Sequence, residues 1–180
     1  MFRRVISSSA ENDDMHRRVI SSSQAMSDDY IPRTVEDIFI YYRLRRVALL
    51  RAFGTDVGTL YLLCDPGYKE NLCLYGYPDG TWDVKEECMV LPPNLPEPAV
   101  GINHARDSKS TIDWVTFVAE HSDSWLLSLA FFFSVDLSHH DRESLFEKIN
   151  DIPTLDEKVK EYYPGQLLQS RIQKTNPNTV

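Results

Sequence analysis

Residues 112–133 constrain the fold most. From Ile112 to Phe133, Thr116, Glu120, Ser124 and Ser128 form one polar row at a spacing of four, and most other positions are apolar. That spacing follows one side of a helix of roughly 3.6 residues per turn. A helix apolar around most of its remaining circumference belongs at the centre of a core. The most apolar run, Trp125–Phe133, is far shorter than the roughly 20 residues a membrane-spanning helix needs, and Glu120 and Asp123 precede it. The chain is therefore predicted to be soluble, with no membrane as a partner.

Four further helices are predicted. Thr34 opens the first, with Val35, Ile38, Phe39, Tyr42, Leu49, Leu50 and Phe53 at helical period and Asp37 in capping-box position. Val57, Leu60, Tyr61 and Cys64 suggest a second, entered at Thr55-Asp56 and stopped by Asp65-Pro66-Gly67. Ser138 with Asp141 caps another, carrying Leu145, Phe146 and Ile149. Thr154 with Glu157 caps the last, with Leu155, Val159 and Tyr162 on one side and Pro164-Gly165 at its end. Leu72–Tyr77, the turn residues Pro78-Asp79-Gly80 and Thr81–Val84 read as a β-hairpin. The prolines of Leu91–Pro98 impose an extended, rigid connection. The expected fold class is α+β and predominantly helical, with about five helices around a central buried helix, one β-hairpin and a Pro-rich extended segment.

Around that domain, placed at residues 30–163, the ends read differently. Arg3-Arg4-Val5-Ile6-Ser7-Ser8-Ser9 recurs as Arg17-Arg18-Val19-Ile20-Ser21-Ser22-Ser23. Two short copies cannot stack into a solenoid, so residues 1–29 are expected to be a disordered leader carrying a local duplication. Ser7 and Ser21 also stand at fixed distance after arginines, as in kinase sites, where a phosphate would reverse the local charge. Residues 164–180 are expected to be a polar, disordered tail.

Formal charge is -8 over 180 residues. Residues 1–51 hold nine arginines against seven acids, and the remainder ten basic against twenty acidic residues. This balance argues against a nucleic-acid backbone as main ligand, because phosphate binding needs Lys and Arg to release counterions. Cys64, Cys73 and Cys88 form no CxxC pair, and their spacings with His104 or His121 match no paired zinc-ligand pattern. They are read as free thiols in a reducing compartment, two of them in apolar runs. His121-Ser122-Asp123 holds the residue types of a hydrolase triad, yet adjacent helical residues point in different directions and cannot form a nucleophile–base–orienter chain. His121 shares a side with Trp114, Val118 and Trp125 and is expected to be packed in the core. No enzyme activity, catalytic residue, cofactor or metal is expected.

The candidate partner-binding residues are Arg43, Arg45, Arg46, Arg51, Tyr77 and Trp82. The four arginines give the first helix a basic side, which would dock an acidic partner or simply keep a surface wet. Tyr77 and Trp82 would form an exposed aromatic patch on the hairpin or cover the core. The proline segment would serve an aromatic groove as ligand or brace the domain.

Long sequence words carry the chain further. Pro32-Arg33-Thr34-Val35-Glu36-Asp37-Ile38-Phe39 resembles the opening of the Alfin-like N-terminal domain. Cys64-Asp65-Pro66 with Lys69–Pro78, Leu95–Asn103 with Ala105-Arg106-Asp107, and Asp113-Trp114 resemble its later blocks. His121-Ser122-Asp123 with Trp125-Leu126-Leu127, and Ile149–Thr154, complete the series in the family's order over roughly residues 30 to 158. The resemblance implies a nuclear, plant-specific chromatin and transcription regulator. In that family this domain is an association module that pairs with itself and with Polycomb RING-type proteins and transcription factors. A PHD finger there reads histone H3 trimethylated at lysine 4, and promoter DNA binding is also ascribed to the family.

The departures count as well. A PHD finger needs many more cysteine ligands for its zinc ions than the three in these residues, together with an aromatic cage for methyl-lysine. Histone H3 is therefore expected as a partner only if a PHD finger comes from a partner or a longer isoform. Between Phe133 and Asp141 the sequence is shorter than the family pattern, and Leu155-Asp156 replaces a more apolar pair. The expected function is a protein–protein interaction module. The alternative is a sequence-specific DNA-binding transcription factor using the arginine side of the first helix, which the net charge opposes.

Overall fold

The structure is a computed structural model describing residues 31–87 and 95–164. The expected leader, the tail after Pro164, Cys88 and the proline stretch up to Asn94 lie outside the described residues. The elements run α1 (Val35–Phe53), α2 (Val57–Leu63), β1 (Leu72–Gly76), β2 (Trp82–Glu86), α3 (Ile102–Arg106), α4 (Thr111–Phe133), α5 (His139–Asn150) and α6 (Leu155–Tyr162). The five helices expected from the sequence are all present. The additional α3 is little more than one turn.

Local chemistry starts most of these helices. The Thr34 hydroxyl accepts from the Asp37 amide at 3.1 Å while the Asp37 carboxylate accepts from the Thr34 amide at 3.3 Å, a reciprocal capping box. Thr154 and Glu157 repeat it at α6, at 3.1 and 2.9 Å. Ser110 and Ser138 cap α4 and α5 through the amides of Asp113 and Asp141. Asp56 precedes α2 without capping it, because its carboxylate is engaged elsewhere.

Helices α1, α3 and α6 pack against α4. The buried positions of α4 are Trp114, Val115, Val118, Ala119, Ser122, Trp125, Leu126, Leu129 and Ala130. At about 100° per residue they span an arc of about 160°. So α4 is central, yet Glu120, Ser124 and Ser128 of the polar row remain exposed. Both α4 indoles hold the preceding extended segment: Trp114 Nε1 donates to the Ile102 carbonyl at 2.8 Å and Trp125 Nε1 to that of Pro96 at 3.0 Å.

The hairpin pairs Leu72 with Glu86 through to Gly76 with Trp82. Its turn places Gly80 at φ 83°, a left-handed conformation that glycine adopts without steric cost. The hairpin crosses α1 so closely at Gly76 that an added Cβ would meet the Arg45 carbonyl oxygen at 2.7 Å. The outer edge of β1 is also engaged at Leu72. Leu72 N donates to Asn103 Oδ1 at 3.1 Å, and Gly101 N donates to the Leu72 carbonyl at 3.0 Å. The wholly buried Asn103 further donates to the carbonyls of Tyr68 and Glu70. One short helix and its N-cap thereby satisfy the backbone of Leu72 at an edge where an unpaired strand invites strand addition.

Two long-range contacts seat α6. Asp123 on α4 accepts from the Leu155 amide at 2.9 Å to each oxygen and from the Asp156 amide at 3.2 Å, placing negative charge at a helix N-terminus. The buried Tyr163 hydroxyl lies 2.9 Å from the Gly54 carbonyl. Leu155 is fully buried, whereas Asp156 turns to Lys160 at 2.6 Å.

Candidate functional site

The expected basic side of α1 is broken by folding. Arg45 and Arg46 are only 9% and 8% exposed. Arg45 Nη1 donates to the Gly76 carbonyl at 2.7 Å and Nη2 to the Tyr41 hydroxyl. Its guanidinium lies 4.4 Å from the Tyr41 ring centre and 5.6 Å from that of Trp125. Arg46 reaches the Pro153 carbonyl before α6. Both use the planar, many-donor guanidinium to bridge elements, and neither presents charge to a partner. Arg43 is half-buried over Phe39. Of the four, only Arg51 is exposed; it donates to the Gly80 carbonyl at 3.3 Å and lies 3.6 Å from Asp56.

On the hairpin, Trp82 is half-buried and donates its Nε1 to Asp56 Oδ2 at 2.9 Å. Tyr77 is half-buried and stacks on Tyr75 at 6.3 Å, with Lys85 5.1 Å from its ring centre. Of the six candidates, Arg51 and Trp82 converge on Asp56, and Arg45 sits under the same hairpin. Arg43 and Arg46 lie elsewhere. They form no single surface.

The His121-Ser122-Asp123 run separates into three environments. Ser122 Oγ is buried against the Val118 carbonyl at 2.8 Å, and Asp123 caps α6. His121 is exposed, edge-on to Phe117 at 4.3 Å. The expected core histidine is thus corrected. On the helical wheel His121 falls about 20° outside the buried arc, where no described helix closes over it. Among the described residues no group of three His, Cys, Asp or Glu side chains is placed to hold a metal. Burial pushes the Cys64 thiol up to about 12 and that of Cys73 up to about 11, so neither is a ready thiolate.

Tyr42, Arg46 and Asp123 form a charged cluster inside the helical layer. Burial, then the charge of Asp123, pushes the Tyr42 hydroxyl up to about 12. Burial also raises the Asp123 carboxyl, against the Leu155 and Asp156 amides and Arg46, and lowers the Arg46 guanidinium. These groups serve the α1–α4–α6 packing. Tyr42 and Asp123 border a groove of about 380 Å³ that also includes Ile149 and Pro153.

An apolar opening lies at the C-terminal end of α4. Phe131 is 62% exposed and Val135 68%. With Phe146, whose ring is 4.3 Å from that of Phe131, they line a groove of about 490 Å³ bordered by His139, Arg142 and Glu143. Sequence reasoning placed this segment inside the core. The signal against that was Phe131-Phe132-Phe133, since three successive residues at about 100° cannot all face one side of a helix. Phe133 turns in, edge-on to Tyr41 at 5.1 Å; Phe131 turns out.

The described residues thus form a helical α+β domain with capped helices and two arginines turned to internal use. The Alfin family model matches residues 34–161, and the chain belongs to that family. It is 49% identical over 151 residues to the PHD finger protein ALFIN-LIKE 7 of Arabidopsis thaliana, covering 83% of this chain and 58% of the relative. To the PHD finger protein Alfin1 of Medicago sativa it is 48% identical over 157 residues, covering 86% and 59%. To the PHD finger protein ALFIN-LIKE 3 of Oryza sativa subsp. japonica it is 56% identical over 124 residues, covering 69% and 50%. The chain thus spans about half to three-fifths of the curated relatives it matches. Among the described residues no helix is long and apolar enough to cross a membrane.

Proposed function

We propose that this part of the chain is a protein–protein interaction module of a nuclear chromatin and transcription regulator, taking Alfin-like proteins, and through them Polycomb RING-type proteins or transcription factors, as partners. The single observation carrying the reading is the family match over 34–161, which coincides with the folded domain. Two features support it. An exposed aromatic groove is the kind of anchor site on which interfaces concentrate their energy, and the residue types of a catalytic triad point apart. The relatives are named PHD finger proteins, and three cysteines in these residues are too few for such a finger. Recognition of histone H3 would therefore come from another segment or a partner. The DNA-binding alternative loses support, because two of its four arginines are spent inside the fold.

The test is capture of full-length ALFIN-LIKE 7 by the purified 180-residue chain, alongside calorimetry with a trimethylated histone H3 peptide. The expected result is capture of the relative and no heat from the peptide. Tight peptide binding, or failure to capture any Alfin-like protein, would sink the reading.

A further inference from the structure

We propose that the groove bordered by Asp123, Asp151 and Glu157 is a binding site for the chain's own leader, which fills it with either copy of its duplicated Arg-Arg-Val-Ile word. The proposal stands apart from the interaction-module reading and assigns a ligand within the same chain. The groove, of about 380 Å³, lies where α1, α4 and α5 meet the start of α6. Leu127, Ile149 and Ile152 form its apolar strip, and its three charged lining residues are all acids. Asp151 and Glu157 are exposed, and neither is in an ion pair among the described residues. The basic side chains nearest the groove in sequence are engaged: Lys148 with Glu36, Lys158 with Glu161 and Lys160 with Asp156. Arg46 is bonded to the Pro153 carbonyl. An apolar strip beside uncompensated carboxylates calls for a ligand that joins aliphatic side chains to cations.

Arg3-Arg4-Val5-Ile6 and Arg17-Arg18-Val19-Ile20 are two such words. Their aliphatic pair suits the strip, and a guanidinium meets a carboxylate through two parallel hydrogen bonds. The tail holds only Arg171 and Lys174, which are not adjacent. Reach is ample. The Lys148–Glu36 contact at 2.5 Å pins the first turn of α1 beside Ile149, so the leader joins the domain next to the groove. Thr34 and Tyr42 are about 12 Å apart along α1, whereas the chain from Ile20 to Ile31 extends up to roughly 36 Å. Such a tether supplies an effective concentration on the order of 1 mM. A contact of only millimolar affinity is then about half filled within one chain, and the second copy of the word raises the occupancy. Glu11, Asp13 and Asp14 between the copies are repelled by the same rim, which confines the contact to the words. A phosphate on Ser7 or Ser21, three positions after an arginine pair, adds a charge of about -1.5 to -2 and opposes docking.

Methyl NMR on the full 180-residue chain tests this. Changing Arg3, Arg4, Arg17 and Arg18 together to Asp is expected to shift the methyl signals of Leu127, Ile149 and Ile152 and to leave Val118 in the core unmoved. The shifts should not depend on protein concentration. A synthetic peptide of residues 17–23 added to that variant should return the three signals toward their parent positions, and its phosphoserine-21 form should bind several-fold more weakly. Asp151→Arg in the variant background should also lower peptide affinity several-fold, whereas Asp136→Arg, an exposed acid elsewhere, should not. That control separates a local site from the chain's overall charge. Unmoved groove methyls in the four-arginine variant overturn the proposal. So do equal losses from Asp151→Arg and Asp136→Arg, or equal binding of the phosphorylated peptide. Groove shifts that follow Arg171→Asp and Lys174→Asp instead would name the tail as occupant, and concentration-dependent shifts would name the leader of another copy; either result overturns docking of the chain's own leader.

Discussion

The two ends of α4 both carry large aromatic side chains and are opposite in fate. At the N-terminal end Trp114 is fully buried, its indole bonded to the Ile102 carbonyl and its ring edge-on to Tyr61. Trp125 is covered in the same way by Pro96, Tyr75 and Arg45. At the C-terminal end Phe131, Phe132 and Val135 reach solvent. The difference does not lie in the helix. The segment 95–106 is laid along the first end and held there by Asn103, Arg106 and two indoles, whereas at the second Phe146 lies beside Phe131 and leaves it 62% exposed. Hydrophobicity fixes what prefers burial, and the covering segment decides where burial occurs. An apolar surface left without cover is the usual mark of a binding site.

The largest effect is expected at the covered end. Trp125→Ala or Trp114→Ala should cost about 3–5 kcal/mol in denaturant unfolding, a large share of an ordinary domain's stability. Native-like melting of Trp125→Ala would break the comparison at its base. Asn103→Leu should follow at about 1–3 kcal/mol, because it strands the Leu72 amide and the Tyr68 and Glu70 carbonyls.

How these parts read from sequence follows distance along the chain. The capping boxes at Thr34 and Thr154, and the hairpin around Gly80, involve residues within a few positions of one another, so their chemistry is legible locally. The Arg45 bond to Gly76, the Arg46 bond to Pro153 and the Asp123 cap on α6 span 31 to 107 positions. No periodicity reports them, which is why those arginines read as a solvated side. The short α3 carries Asn103, whose role exists only once β1 has an open edge. The outward turn of Phe131 was the one missed surface that helical geometry alone would have revealed.

A smaller effect separates the charged cluster from the covered end. The Tyr42 hydroxyl titrates at about 12 in the folded chain against 10.0 as its ordinary value. Its folded value is raised, so its stabilising contribution is complete below about pH 10 and is lost as pH rises through about 12. Unfolding free energies measured at rising pH should therefore fall less in Tyr42→Phe than in the parent chain, by on the order of 2 kcal/mol across that window. Equal slopes would show that burial does not hold this hydroxyl protonated. The smallest effect belongs to the uncovered end, where Val135→Ser should change stability by no more than about 0.5 kcal/mol. A loss of several kcal/mol would show that this end is structural after all.

Hydrogen exchange tests the central claim most directly, namely that the covered end of α4 holds the fold and the uncovered end is the surface for partners. The chain is measured alone and with an excess of full-length ALFIN-LIKE 7. New protection is expected in peptides spanning residues 131–146, with residues 111–126 protected equally in both samples. Protection that appears only elsewhere, at the hairpin or along α1, would contradict it.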